Sequence, residues 1–145
     1  MSQADIVTLA DALLADINAT AFSQSFTARR TYLPIAELET QGVLSVTMLP
    51  RGDDITLTDR NATQHDMTFD VAVQKKLANV SNRDIDPLVY LTQQLLDYFW
   101  FNKLPNNTTL VTESVSILYY SDHLQQLRQF TSVISLTFRG WRTKP

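Results

Sequence analysis

An alternation of apolar and polar residues through the middle of the chain restricts the fold more than any other sequence feature. Threonine, serine and aspartate separate apolar side chains in three stretches, whose apolar positions are Leu44, Val46 and Met48, then Ile55 and Leu57, then Met67, Phe69, Val71 and Val73. A period of two is typical of antiparallel strands with one buried face. We predict half-buried strands here, with a turn over Arg51 to Asp54 and a second polar connection over Arg60 to Gln64.

Two amphipathic helices flank these strands. Apolar residues at helical spacing from Ile6 to Ile17 predict a first helix over residues 3–18. The pair Asp86 and Pro87 fits an N-cap followed by proline at the first helical position, which predicts a second helix from there to about Lys103. The aromatic run at 98–101 cannot point in one direction on a helix, so at least one ring should lie at the surface.

The order of these elements indicates the fold class. Further strands are expected at 27–33, around 111–117 and at 130–139, with a short helical turn at 122–129. Helices and strands in separate runs favour an α+β fold, with an antiparallel sheet and the two main amphipathic helices packed on one face. With no linker rich in Gly, Pro or Ser, the 145 residues should form a single domain over 1–145. Gly140 should end the last strand and free Trp141 and Arg142.

Composition weighs against several classes of function. The chain has no Cys and three scattered Gly, which leaves no thiolate chemistry and no phosphate-binding glycine loop. Its net charge of −3 argues against a general phosphate-coating role. Asp5, Asp11 and Asp16 interrupt an N-terminal segment without a basic region, so we expect neither a signal peptide nor a membrane span.

No residue pattern indicates a catalytic, metal or cofactor site, and we predict none. The two histidines, His65 and His123, lack metal-ligand spacing and read as solvated or hydrogen-bonded, so replacing both should leave assembly nearly unaffected. Two alternatives stay open. Folding would create a metal-dependent enzyme site if it brought together His65, Asp66, Asp70 and Glu113. A small-ligand-binding domain would place the aromatic helix over an apolar pocket in the sheet.

Several phrases of the sequence resemble a known family. A leading amphipathic helix, the segment FSQSFTARRTYLPIAELE, a strand ending in TMLPRG, the strand MTFDVAVQKK, a long helix and the closing FTSVISLTFRGW are similar to the tail terminator (tail completion) proteins of long-tailed phages. The resemblance covers nearly the whole chain as element order and local phrase, and it contains no catalytic motif.

This resemblance implies a structural virion protein at the head–tail junction, assembled in the host cytoplasm without a membrane. Such a subunit forms a homo-hexameric ring that caps the tail tube protein and offers its other face to the head-side connector, or stopper. Double-stranded DNA passes through the ring without specific binding. The hairpin over residues 51–64 would protrude toward the tube or the next subunit. Another connector component, a stopper or adaptor, is the nearest alternative.

The predicted interface residues come from this hairpin, the second helix and the end of the chain. They are Arg51, Asp53, Asp54, Arg60, Trp100, Arg139, Trp141 and Arg142.

Overall fold

The computed structural model describes residues 3–33, 37–111 and 115–143 and has an α+β fold. Its helices and strands are α1 (Asp5–Ala19), β1 (Ala28–Arg30), β2 (Leu44–Asp59), β3 (Ala62–Lys76), α2 (Asn82–Phe101), β4 (Thr109–Leu110), β5 (Ile117–Tyr119), α3 (Ser121–Leu127) and β6 (Gln129–Thr143), with a 3₁₀ turn at Pro105–Asn107. One six-stranded sheet has the order β1-β2-β3-β6-β4, and β5 also pairs with β6. The predicted class is confirmed, but the sheet is mixed, because β1 runs parallel to β2.

Both main helices contribute to one core with the apolar face of the sheet. The side chains of this core alternate along the central strands and recur every three or four residues along the helices; they include Leu9, Leu13 and Ile17 of α1, Leu88, Leu91 and Leu95 of α2, and Phe69, Val71, Ile134 and Leu136 of the sheet. The other face of β3 is also buried at Asp70, Ala72 and Gln74, so the middle of this strand is covered on both sides and is not half-buried as predicted. Phe99 of α2 packs its ring 5.6 Å from that of Phe138 in β6. The apolar stripes of both helices were therefore predicted correctly.

A tyrosine connects the two helices. The buried Tyr98 hydroxyl of α2 donates a hydrogen bond to the Asp16 carboxylate of α1. Burial, reinforced by this bond, raises the pKa of Tyr98. Within the aromatic run, Tyr98 and Phe99 are core residues, whereas Trp100 and Phe101 are exposed, as helical geometry requires.

Helix α2 begins earlier than the sequence indicated. The backbone amides of Asp84 and Ile85 already bond to the Ser81 carbonyl, so Pro87 lies inside the helix and not at its first position. Proline has no backbone N–H, so Pro87 removes one helical hydrogen bond, the bond to the carbonyl four residues before it. The first turn of α2 forms without that bond. The helix ends at Phe101.

The predicted turn over Arg51 to Asp54 is wrong. Strand β2 continues through these residues and pairs with β3 as far as Asp59 opposite Ala62, so the hairpin turn lies at Arg60 and Asn61. A register shift between Pro50 and Gly52 inserts an extra residue into β2. Of the residues that suggested a turn, Arg51 is therefore the extra residue of a β-bulge and Gly52 follows it, whereas Asp53 and Asp54 pair regularly with Met67 and Asp66. A bulge disturbs the ladder locally without ending the strand.

The closing strand is also longer than predicted. β6 continues to Thr143, and Gly140 stays in the ladder opposite His65, so Trp141 and Arg142 belong to the strand. The helical turn near the C-terminus is confirmed as α3, at Ser121–Leu127. The strand expected around 111–117 is wrong for the residues that are described: Val111, Val115 and Ser116 are not in a strand, and short strands lie before them as β4 and from Ile117 as β5. Residues 112–114 lie outside the described structure. In the part of the chain that is described, no helix is long and apolar enough to cross a membrane.

Candidate assembly surface

Three strands form a ribbon at one end of the sheet, and α1 covers only part of it. We define the distal ribbon as residues 52–59 of β2, 62–68 of β3 and 137–143 of β6, which pair in that order, with a second register shift in β2 between Leu57 and Asp59. Its β2 strand is exposed from Asp54 to Asp59, whereas β2 before the bulge is partly or fully buried. The β2 side of the hairpin is thus exposed, and the hairpin is strand almost to its turn.

The bulge between Pro50 and Gly52 determines which β2 side chains lie on the helix-bearing face of the sheet and which lie on the opposite face. Beyond it, Asp53 lies opposite Met67 and Ile55 opposite His65, which places both on the helix-bearing face. Asp54 and the next alternate residue lie on the opposite face. Ile55 is 59% exposed and Leu57 is 71% exposed. These two residues, which the alternation pattern assigned to a buried face, are therefore exposed apolar groups on the ribbon.

A buried histidine joins the base of the ribbon to α1. His65 is 6% exposed, and its Nδ1 lies 2.9 Å from Asp53 Oδ2. On the other side of the ring, Nε2 lies 3.1 Å from the Thr63 hydroxyl and 3.6 Å from Asp5 Oδ2. Asp53 Oδ1 is buried and has no hydrogen-bond partner among the described residues. His65 is therefore the hydrogen-bonded histidine that the sequence suggested, held between two carboxylates.

A cavity of about 310 Å³ adjoins this histidine. Its lining is mixed, and includes Asp5, Thr8, His65, Met67, Thr108 and Arg142. The aromatic residues of α2 do not line it: Tyr98 and Phe99 are packed in the core. The cavity thus differs from the apolar pocket under an aromatic helix that the small-ligand alternative requires.

The opposite face of the sheet carries a ladder of polar pairs across β3 and β6. Residues directly opposite one another bond through their side chains: Asp66 with Arg139 at 2.9 and 3.1 Å, Thr68 with Thr137 at 3.0 Å, and Asp70 with Ser135 at 2.6 Å. The hydrogen bond from Arg139 lowers the pKa of Asp66, and the same contact raises the pKa of Arg139. Arg51 adds an ion pair to Asp70 at 3.3 Å.

The proposed enzyme cluster does not form from the residues that can be placed. Successive residues of a strand point to opposite faces, so His65 lies on the helix-bearing face and Asp66 and Asp70 on the other. Both aspartates already bond to partners on β6. Glu113 lies outside the described residues. Across residues 3–33, 37–111 and 115–143, no group of three or more His, Asp or Glu side chains could hold a metal ion.

Most of the predicted interface residues come together at the ribbon. Seven of the eight lie on it or next to it: Arg51, Asp53, Asp54, Arg60, Arg139, Trp141 and Arg142. Trp141 is 55% exposed, and the guanidinium of Arg142 has its nearest described carboxylate, Asp5, at 3.8 Å. Trp100 is separate, on the last turn of α2, where it lines a groove with β4.

Asp5, Ile55 and Leu57 are surface features that the sequence reasoning did not assign to the interface. One feature of the sequence could have indicated that Ile55 and Leu57 are exposed, because aspartates lie on both sides of this stretch. No sequence feature could have indicated the contact of Asp5 with His65, because 60 residues separate them in the chain.

No protein-family model matches this chain, and no curated protein matches its sequence. The functional conclusion therefore depends on the ribbon and on the resemblance in element order.

Proposed function

We propose that this protein is a structural virion component of a long-tailed phage. Six copies form a ring that caps the tail tube and joins it to the head-side connector, and DNA passes through the ring during packaging or ejection. In this role the protein needs no catalytic residue, cofactor or metal. Its activity is the formation of contacts with its own copies and with the proteins above and below.

The distal ribbon is the observation that carries this proposal. It presents apolar side chains on both faces, with Ile55 and Leu57 on the helix-bearing face and Trp141 on the other. A small protein gains no stability from holding such residues in solvent, whereas buried aromatic and aliphatic side chains are typical of assembly interfaces. A ribbon that is regular strand beyond its own core is well suited to reach a neighbouring subunit.

The charge of the chain is compatible with a DNA passage. The net charge is −3, and exposed carboxylates repel the phosphate backbone. A ring lined by such subunits would let a duplex slide, because tight binding needs clustered cations that release counterions. This supports a passage in preference to a DNA-binding function.

The test is to locate and count the chain in particles. Virions carrying an epitope tag on this chain should show label at the head–tail junction, and reconstruction there should give six copies. Label elsewhere, absence from particles, or a different copy number would contradict the proposal. A subunit that is monomeric when purified alone is consistent with it, because ring formation in such a system can wait for the tube.

A ribbon variant tests the same proposal through assembly. Replacing Leu57 with Asp should leave the fold unchanged, because this side chain is 71% exposed, and should prevent incorporation into particles. Leu118→Asp is the matched control, since Leu118 is 55% exposed on β5, outside the ribbon. Normal incorporation of the Leu57 variant would remove the ribbon from the interface.

A further inference from the structure

A cleft of about 340 Å³ lies at the hairpin end of the distal ribbon, and we call it the tip cleft. Leu57, Thr63 and Arg142 line it, and they lie directly opposite one another on β2, β3 and β6, so they form one row on the helix-bearing face. Arg60 and Asn61, at the hairpin turn, line it as well. The tip cleft therefore combines two guanidinium groups with a hydroxyl, an amide and an exposed leucine.

The charge of the tip cleft is unbalanced. Its described lining residues include two arginines and no carboxylate. In the described part of the chain, the Arg60 side chain has no ion pair or hydrogen bond. Arg142 lies 3.8 Å from an Asp5 oxygen, which is too long for a hydrogen bond, and that oxygen is also 3.6 Å from His65. The guanidinium donors of both arginines are therefore available for an anion, which would offset the repulsion between two like charges.

A carboxylate on a protein fits this cleft better than a phosphate on a nucleic acid. Guanidinium groups bind both anions through paired hydrogen bonds, so the arginines alone do not discriminate between them. Leu57 favours a protein, because its side chain is 71% exposed and can pack against an apolar side chain next to the carboxylate. Beyond the cleft, β2 carries Asp53, Asp54 and Asp59, which would repel the phosphates of a longer nucleic acid.

We propose that the tip cleft binds an acidic segment of a neighbouring protein, with carboxylates on Arg60 and Arg142 and an apolar side chain on Leu57. A volume of about 340 Å³ accommodates a few side chains and not a folded surface, so the partner contributes a short segment. The Asn61 side-chain amide is a further donor in the cleft. This inference rests on the proposed function only in placing the partner at the head–tail junction.

A short peptide tests the chemistry of the cleft on the isolated full-length subunit. The probe is the blocked peptide acetyl-Glu-Leu-Glu-amide, and acetyl-Gln-Leu-Gln-amide has a similar shape without the charge. In an NMR titration, the acidic peptide should shift the guanidinium signals of Arg60 and Arg142 and the backbone amide of Thr63, whereas the neutral peptide should shift them far less. Added salt should weaken the binding of the acidic peptide, because the contact is an exposed ion pair.

Substitutions of the two arginines identify the residues that bind. Arg60→Gln and Arg142→Gln should each weaken binding of the acidic peptide about threefold, and the double variant about tenfold, which is the range expected for exposed ion pairs. Arg83→Gln is the matched control, since Arg83 is an exposed arginine on α2, outside the ribbon, and this variant should bind the peptide like the native chain. Because Arg60 and Arg142 are exposed, all of these variants should fold like the native chain.

Three results would overturn this inference. Equal shifts from the acidic and the neutral peptide would show an apolar contact without recognition of charge. Tighter binding of a short DNA duplex at the same residues would assign the cleft to nucleic acid. Concentration-dependent shifts of these signals without peptide would identify a second copy of this chain as the occupant.

Particles separate this inference from the proposed function. Virions should incorporate the double variant of Arg60 and Arg142 about tenfold less well than the Arg83 variant. Six copies at the junction with unchanged incorporation of the double variant would overturn the tip cleft as a junction contact and leave the ring. Peptide binding by the isolated subunit, combined with absence of the chain from particles, would support the chemistry of the cleft and contradict the proposed function.

Discussion

Arg139 on β6 holds both carboxylate oxygens of Asp66 on β3, with Nε 2.9 Å from Oδ1 and Nη2 3.1 Å from Oδ2. The two residues are directly opposite in the ladder, 73 positions apart in the chain. A paired geometry of this kind is selective for the ionised carboxylate, and it accounts for the lowered pKa of Asp66.

Replacing Arg139 with Gln should therefore raise the pKa of Asp66 toward that of an ordinary aspartate. Because the folded-state pKa is the lower one, the pair stabilises the fold above the pKa of an unfolded aspartate, and this contribution is lost as the pH falls through the folded value. The variant should be less stable than the native chain at neutral pH and equally stable at strongly acidic pH. Carboxyl NMR titration and denaturant unfolding at the two pH values measure this. Arg51→Gln, which removes a different ion pair, should leave the Asp66 titration unchanged.

His65 should matter for stability, although the sequence suggested that both histidines are dispensable for assembly. Replacing it with Leu leaves the Asp53 and Asp5 carboxylates without their shared partner, and losing such bonds in a buried setting costs about 1–3 kcal/mol. Hydrogen exchange at the first turn of α1 should increase as well. His123→Leu breaks one bond to Thr131 and should cost less. Equal losses for the two variants would show that the contacts between α1 and the ribbon are not important.

Gly140 is required by a close approach to the loop after α2. A Cβ placed there would lie 3.1 Å from the Thr108 Cγ2 methyl. Gly140→Ala should destabilise the fold by about 1 kcal/mol through overpacking, and Thr108→Ser in the same chain should recover most of this, since serine lacks the methyl. Gly52→Ala meets no described atom within 4 Å and serves as the control. Thermal unfolding of these three variants and the native chain measures the change in stability. An unaffected Gly140→Ala chain would mean that the loop shifts to accept the added methyl.

Trp141 should act at assembly and not in the fold. Its ring is 55% exposed on the ribbon, so Trp141→Ala should leave the unfolding free energy of the isolated subunit unchanged. If the ring is an interface anchor, truncation should weaken subunit association by about 2 kcal/mol or more. Tyr90→Ala, at 57% exposure on α2, is a matched aromatic control. The measurement is incorporation of each variant into particles in competition with the native chain. If the Trp141 variant is incorporated as well as the Tyr90 variant, Trp141 is not an interface anchor.

Local patterns were enough to predict the elements of this fold. The spacing of Leu9, Leu13 and Ile17 specifies a helix with one buried stripe, and the alternation through Phe69 and Val71 specifies a strand that turns one face to the core, because each pattern repeats with the geometry of its own backbone. The alternation did not indicate that Asp70 and Ala72, on the other face of this strand, are buried as well. The α+β class follows from their order. These features depend on neighbours a few residues apart, which is the range that a sequence pattern can report.

The features that the sequence did not predict depend on contacts between residues that are distant in the chain. Whether Gly52 makes a turn or a bulge depends on the β3 partner that continues the ladder past it, and Gly140 does not end β6 because His65 of β3 pairs opposite it and the ladder continues beyond. The same holds at the candidate surface: Ile55 stays exposed on β2, whereas His65, directly opposite it on β3, is buried because Asp5 of α1 and Asp53 of β2 approach it. Sequence by itself determined which residues could form strands and helices, whereas only the tertiary structure decided which side chains the packed helices cover, since burial depends on the position of neighbouring elements.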